Sequence, residues 1–169
     1  ELIVINDKSP DLRLSKALKK LNSLKLFRLV ENSKNLGFVK TVNVGMNIHV
    51  DRDVLLLNSD TMVYNDWLDR IKNQAYKHNA DTVTPLSNNA TICSYPSWLN
   101  DNPYPLEIDY SKIDDLTKKI NSEQFVEIPT GVGFCMFIKR SSLKNNGYFN
   151  EELFRKGYGE ENDFCMKVI

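Results

Sequence analysis

Apolar residues fall into two spacings along the chain. Short runs of about strand length occur at Leu2-Ile3-Val4-Ile5, Leu26 to Val30, Val54-Leu55-Leu56-Leu57 and Phe134-Cys135-Met136-Phe137-Ile138, and Asp81 to Pro85 reads as another short strand. Between them the apolar positions recur every three or four residues. Leu14, Ala17, Leu18 and Leu21 predict an amphipathic helix, with Ser9 as its cap and Pro10 in its first position. Phe38 to about Val50 predicts a second, with Val42, Gly45, Met46 and His49 on one stripe. Asp66 to about Tyr76 predicts a third, capped by Asn65, with Leu68, Ile71 and Ala75 inward. Ser111 to Ile120 predicts a fourth, and Ser141 starts a short helical turn. Glycine inside a helix costs roughly 1 kcal/mol against alanine, so Gly45 is expected where close packing or a ligand requires it.

Strands separated by helices of this length make βαβαβ units with right-handed crossovers. The expected fold class is therefore α/β, a three-layer α/β/α sandwich around a mostly parallel, Rossmann-like sheet. Val54 to Leu57, four consecutive large apolar residues, suits a strand buried on both faces of such a sheet. The run stops in Asn58-Ser59-Asp60-Thr61, small polar groups that suit a loop. The pattern weakens over residues 86–122, where Asn88, Asn89, Pro96, Pro103 and Pro105 mark loops and Tyr95, Trp98 and Tyr104 are interspersed. This stretch reads as a substrate-side insertion within one domain.

Composition narrows the class. The 169 residues suffice for a single domain with a sizeable core, and 41% hydrophobic with 26% charged residues is a soluble globular balance. Lys+Arg and Asp+Glu both number 22, so no nucleic-acid footprint or polybasic membrane patch is indicated. There is no apolar run of transmembrane length and no signal-peptide pattern. Cys93, Cys135 and Cys165 lack both the even count of a disulfide framework and zinc-ligand spacing; reduced, partly buried thiols in a cytosolic protein are expected. The chain opens at once on a strand and closes part-way through a helix, as expected of a fragment of a longer protein.

Five stretches carry candidate chemistry. Asp60 follows the Val54–Leu57 strand, and a carboxylate at the carboxyl end of a parallel strand sits where open α/β sheets bind ligands. It can hold a hard cation, which can in turn hold a diphosphate. Asp7 ends the first strand and can accept hydrogen bonds from a base or ribose, or from its own turn. Asn35-Leu36-Gly37-Phe38, with Lys40 and Asn43, opens a helix whose free N–H groups could meet phosphate, or simply be capped. Thr130-Gly131-Val132-Gly133 lets backbone approach a ligand, yet no Walker lysine or GxGxxG is present. Glu160, Glu161 and Asp163 enter a helix N-terminus, where carboxylates satisfy the dipole or take a proton from a hydroxyl. His49 and His78 have no partner at ligand spacing and read as structural.

Taken in order, these pieces resemble a family 2 glycosyltransferase of GT-A fold. Val4-Ile5-Asn6-Asp7-Lys8-Ser9-Pro10-Asp11 is similar to its nucleotide-binding aspartate loop, and Asn35-Leu36-Gly37-Phe38 with Asn43-Val44-Gly45 to its Asn-x-Gly-Phe segment. Leu55-Leu56-Leu57-Asn58-Ser59-Asp60-Thr61, followed by Trp67-Leu68, resembles the metal and diphosphate motif. Gly131 to Arg140 resembles the strand under the acceptor site, and Gly157-Tyr158-Gly159-Glu160-Glu161-Asn162-Asp163-Phe164-Cys165 the loop of the catalytic base.

The resemblance implies nucleotide contacts at Asp7, Asn35, Gly37, Lys40 and Asn43. It implies a divalent metal, Mg or Mn, at Asp60, and donor or acceptor contacts at Ser59, Thr130, Gly131 and Glu160. Glu161 would be the base, standing where the family often has aspartate. The implied reaction is inverting transfer of a sugar from a nucleotide-diphospho-sugar to an acceptor hydroxyl, saccharide or lipid-linked. The implied setting is bacterial surface polysaccharide assembly, cytoplasmic or at the inner face of the membrane. The family's first strand and its C-terminal part are expected outside this chain. A nucleotidyltransferase of related sheet topology and a non-catalytic GT-A-like domain are the alternatives.

Overall fold

The computed structural model describes residues 1–102, 108–122, 124–155 and 157–169. Pro103, Tyr104, Pro105 and Lys156 lie outside the described residues. The element order is β1 (Ile3–Asn6), α1 (Leu12–Ser23), β2 (Arg28–Glu31), α2 (Phe38–Met46), β3 (Val54–Leu57), α3 (Trp67–Lys77), β4 (Thr82–Val83), a 3₁₀ turn at Thr91–Cys93, α4 (Tyr110–Ile120), β5 (Cys135–Ile138), α5 (Arg140–Asn146) and α6 (Glu160–Val168). The fold is α/β, as its alternating spacings predict. The described residues gather into two compact units, one of residues 1–50 and 148–160, the other of 51–147 and 161–169.

In the first unit β1 and β2 pair in parallel, from Ile3 opposite Arg28 to Asn6 opposite Glu31, with α1 as the crossover. The start of α1 differs from the Ser9–Pro10 expectation. Asp11 caps it, its carboxylate accepting the Arg13 N–H at 2.8 Å. Ser9 instead donates its N–H to Asn6 Oδ1 at 2.9 Å and so closes the loop after β1. No residue of α1 is buried, and Leu14 on its apolar stripe stays 46% exposed.

Helix α2 ends at Met46, four residues short of the predicted Val50, where Ile48 N–H turns back to the Gly45 carbonyl at 3.2 Å. It buries Val39 and Met46. Gly45 meets the close-packing expectation, since a Cβ there would lie 2.9 Å from Ile5 Cδ1.

In the second unit β5 lies between β3 and β4 and runs antiparallel to both, which leaves β3 and β4 pointing the same way. Every residue of β5 is buried, whereas β3 is only half-buried and Leu57 is 38% exposed. The doubly covered strand is therefore Cys135–Ile138. The middle place in this sheet went to a strand almost eighty residues away in sequence, which an apolar run cannot reveal.

Ile71, Ala75, Cys135 and Phe137 form the core between α3 and the sheet, with Leu55, Trp67, Val83 and Phe134 packed against it. Deleting an aromatic ring from such a core costs about 3–5 kcal/mol. Trp67 takes the inward place expected of Leu68, which is exposed.

Asn65 does not cap α3. Its backbone is left-handed, and its side-chain amide donates to Asp114 at 2.8 Å and Asp115 at 3.1 Å. Asp66 stands at the cap position and pairs with Arg70 at 3.1 Å and Lys118 at 2.7 Å. With the Arg70–Asp114 pair at 2.6 Å, these contacts fasten α4 to α3. The His78 ring lies against that of Phe125, centroids 3.7 Å apart.

Candidate active site

In the second unit β3 ends at Leu57 opposite Cys135, and Asn58 N–H donates to the Phe134 carbonyl at 2.8 Å. The carboxyl end of β3 and the amino end of β5 therefore share one sheet edge. A turn closed by Thr61 N–H on the Asn58 carbonyl, 3.1 Å, leaves Ser59 and Asp60 exposed there. Among the described residues no three His, Cys, Asp or Glu side chains converge into a ready-made cation site.

Three consecutive residues just before β5 are each pinned. Thr130 Oγ1 donates to Asn162 Oδ1 at 2.7 Å. Gly131 N–H donates to Cys165 Sγ at 3.2 Å, and Val132 N–H to Thr84 Oγ1 at 3.1 Å. Asn162 and Cys165 belong to α6, so the first turns of that helix lie on the loop.

The next residue is Gly133, and the Glu161 carboxylate lies beside it: a Cβ built on Gly133 would stand 3.6 Å from Glu161 Oε1. Glu161 Oε2 is buried with no hydrogen-bond partner among the described residues. Leaving such an oxygen unsatisfied costs about 1–3 kcal/mol, more for a charged group. Ser59, Asp60, Thr130, Gly131 and Glu161 thus border the same sheet edge.

In the first unit Asp7 is heavily engaged. Its Oδ1 accepts from Asn32 Nδ2 and from Leu36 N–H, both at 2.8 Å, and its Oδ2 accepts from Gly37 N–H at 2.9 Å. Burial alone would raise its pKa. The bonds from Asn32, Leu36, Thr41 and Gly37 together outweigh this and hold the carboxyl below its ordinary value. Asn35 Nδ2 donates to the Asp7 carbonyl at 3.2 Å.

Asn35 and Lys40 border a groove of about 520 Å³ with Lys34, Arg155, Glu151 and Glu152. Asn43 is spent on a clasp, donating to the Phe149 carbonyl at 2.8 Å and accepting the Phe149 N–H at 3.2 Å. Glu160 is buried, and its Oε1 would lie 3.8 Å from a Cβ on Gly157.

The sequence reading named the acids of the sheet edge and missed what fastens them. Asn162 and Cys165 follow Glu161 at i+1 and i+4, within an arc of about 100° on α6. That spacing was the available signal, but their partners lie 32 and 34 residues away. Lys34 and Arg155 in the first unit's groove were likewise not singled out.

The chain belongs to glycosyl transferase family 2, whose model matches residues 1–147. The loop of Glu160 and Glu161 lies beyond that match. An uncharacterized glycosyltransferase of Haemophilus influenzae is 31% identical over 87 residues, 51% of this chain and 26% of that protein. The fold is similar to the crystal structure of S. aureus TarS 1-349, with a TM-score of 0.61 and 21% identity over 99% of this chain and 45% of that one. The chain therefore spans about a quarter of the length of the one relative and under half of the other. No helix among the described residues is long and apolar enough to cross a membrane.

Proposed function

We propose that this chain is the core of an inverting glycosyltransferase that moves a sugar from a nucleotide-diphospho-sugar to an acceptor hydroxyl. The observation that carries this reading is Glu161, held beside Gly133 with one buried carboxylate oxygen that has no hydrogen-bond partner among the described residues. Glu161 takes the proton of the acceptor hydroxyl. The freed oxygen pair forms a bond to the anomeric carbon as the bond from that carbon to the diphosphate breaks. The nucleoside diphosphate leaves with the bonding electrons, and the anomeric configuration inverts. Gly133 offers no side chain there, so an acceptor can approach the carboxylate.

Asp60 fits a divalent ion carried in with the donor. Ions such as Mg are commonly held by one or two carboxylates plus substrate phosphates rather than by a full protein cage. One exposed carboxylate at the sheet edge, with no cluster of three acids among the described residues, matches that donor set. When bound, the ion would supply positive charge to the diphosphate leaving group. Ser59 lies beside it in the turn, and Thr130 and Gly131 border the donor or acceptor.

The nucleotide is assigned to the first unit. Lys40 and Asn35 line its groove, where a lysine and amide donors suit phosphate and ribose. Asp7 and Gly37 form the floor of the loop that presents them, and Asn43 holds the helix behind it. Glu160 is assigned to the donor or acceptor. We assign to it a saccharide or lipid-linked saccharide acceptor, a role in bacterial surface polysaccharide assembly and a cytoplasmic place near the membrane, as the resemblance to the family implies.

Calorimetric titration of UDP, GDP and dTDP into the protein, with and without Mn, tests the donor class. One nucleotide should bind more tightly with Mn present. Absence of binding by all three would overturn the reading.

A further inference from the structure

We infer that Thr130 and Asn162 are positioning residues whose shared hydrogen bond, backed by the Gly131 N–H on Cys165 Sγ, holds the Glu161 carboxylate beside Gly133. The inference rests on Glu161 being the base. It gives the Thr130 hydroxyl a structural duty in place of sugar contact, and gives roles to Asn162 and Cys165, which the proposed reaction does not otherwise use.

The hydroxyl of Thr130 has a single proton. It lies 2.7 Å from Asn162 Oδ1 and 3.0 Å from the Gly131 carbonyl, and the shorter contact links two elements. Gly131 cannot slide to compensate for its loss. A Cβ there would already lie 3.0 Å from Met136 Cε and 3.1 Å from Thr84 Oγ1, so the loop is wedged against the sheet. Cys165 is buried at 3% exposure, and its sulfur accepts the Gly131 N–H one helical turn beyond Glu161.

Two attachment points on α6, at Asn162 and Cys165, lie on one side of Glu161, about 100° and 40° round the helix from it. A helix tied at two points on one side can neither roll nor slide. With only one tie left, it can roll about that point and swing the carboxylate off Gly133. The consequence is kinetic more than structural. A displacement of about 1 Å at a reacting group can cost about 100-fold in rate.

The test measures release of nucleoside diphosphate with Mn from UDP-glucose, UDP-galactose, UDP-N-acetylglucosamine, GDP-mannose and dTDP-rhamnose, using whichever donor the protein turns over. Wild type, Glu161→Gln, Thr130→Val, Asn162→Ala and the Thr130→Val/Asn162→Ala double variant are compared. Thr130→Val and Asn162→Ala should each lower kcat by about 10- to 100-fold with donor KM within about twofold. The double variant should be no slower than the worse single one, because both remove the same bond. Cys165→Ala should lower kcat, and Cys165→Ser, which keeps an acceptor, should restore most of it.

If Glu161→Gln is inactive while Thr130→Val and Asn162→Ala turn over normally, the positioning role is overturned and the base stands. Effects that multiply in the double variant, or a loss confined to KM, overturn it equally. If Glu161→Gln keeps full turnover, or no donor is consumed by wild type, the base assignment itself falls and takes the inference with it.

Discussion

The Glu161 carboxylate lies against the bare backbone of Gly133, 3.6 Å from where a side chain on that residue would begin. Its other oxygen is buried and has no hydrogen-bond partner among the described residues. That pairing separates binding from chemistry. Glu161→Gln keeps shape and volume but removes the basic oxygen. It should leave nucleotide affinity within about twofold and lower kcat by about 10²- to 10⁴-fold, the usual contribution of a positioned base. Calorimetry on the variant, beside a steady-state assay of diphosphate release, checks both halves. Weakened nucleotide binding would show that Glu161 serves the donor instead.

Asp60 should behave differently. It is exposed in the turn after β3, so Asp60→Ala should leave folding nearly unchanged, as surface substitutions usually do within about 0.5 kcal/mol. The effect should fall on the metal-dependent part of nucleotide binding, with the affinity seen without Mn retained. A variant whose binding still tightens with Mn would remove Asp60 from the ion.

Gly37 and Gly45 both carry close contacts, and they should respond unequally to alanine. Gly37 has φ +81° and ψ 168°, a region that only glycine readily occupies, and its Cβ would lie 2.8 Å from the backbone carbonyl oxygen of Arg155. Neither can relax cheaply, so Gly37→Ala should cost about 2 kcal/mol or more. Gly45 sits within α2, and its contact is the flexible tip of Ile5 at 2.9 Å. There alanine gains about 1 kcal/mol of helix propensity, which offsets a small shift of Ile5. Urea unfolding of the two variants should show a clear loss for Gly37→Ala and near-neutrality for Gly45→Ala.

The strands and helices were readable because short apolar runs and three-to-four spacing report local structure. Pairing was not, since Phe137 opposite Leu55 and Val83 is a relation between distant segments. Val54 to Leu57 looks like the buried centre by composition, and Cys135–Ile138 occupies it. Caps went astray for a related reason. Ser9 and Asn65 are good capping types, yet Ser9 turns its N–H to Asn6 and Asn65 spends its amide on Asp114. The site followed the same rule. Asp60 and Glu161 stand out as acids at element ends, whereas the tie between Thr130 and Asn162 needs the fold to bring them together.

Asp7 gives a pH signature. Its carboxylate accepts bonds from Asn32, Leu36 and Gly37, and its folded pKa is depressed. A depressed carboxyl contributes stability that is complete above its unfolded pKa, about 3.9, and is lost as pH falls through the folded value. Asp7→Asn removes this contribution and sets an amide against the Gly37 N–H. It should destabilise by about 1–3 kcal/mol at pH 7. The gap in Tm between wild type and variant should narrow below about pH 4, as wild type protonates. A gap independent of pH would mean that the charge on Asp7 contributes nothing to the fold.

The three thiols should be silent in the folded protein. Cys93, Cys135 and Cys165 are all free and buried. Burial pushes the Cys135 thiol up to about 12 and raises that of Cys93. At pH 8 a thiol of that kind is thiolate in about one molecule in 10⁴, and the thiolate is the reacting species. Access adds a second barrier, since Cys135 lies in the fully buried strand β5 and Cys165 accepts the Gly131 N–H. Reaction with Ellman's reagent should therefore proceed only through opening of the structure, with all three thiols appearing together in denaturant. If Cys165 alone reacts ahead of global unfolding, α6 lifts from the loop at Gly131 as a separate event, and Glu161 must leave Gly133 with it.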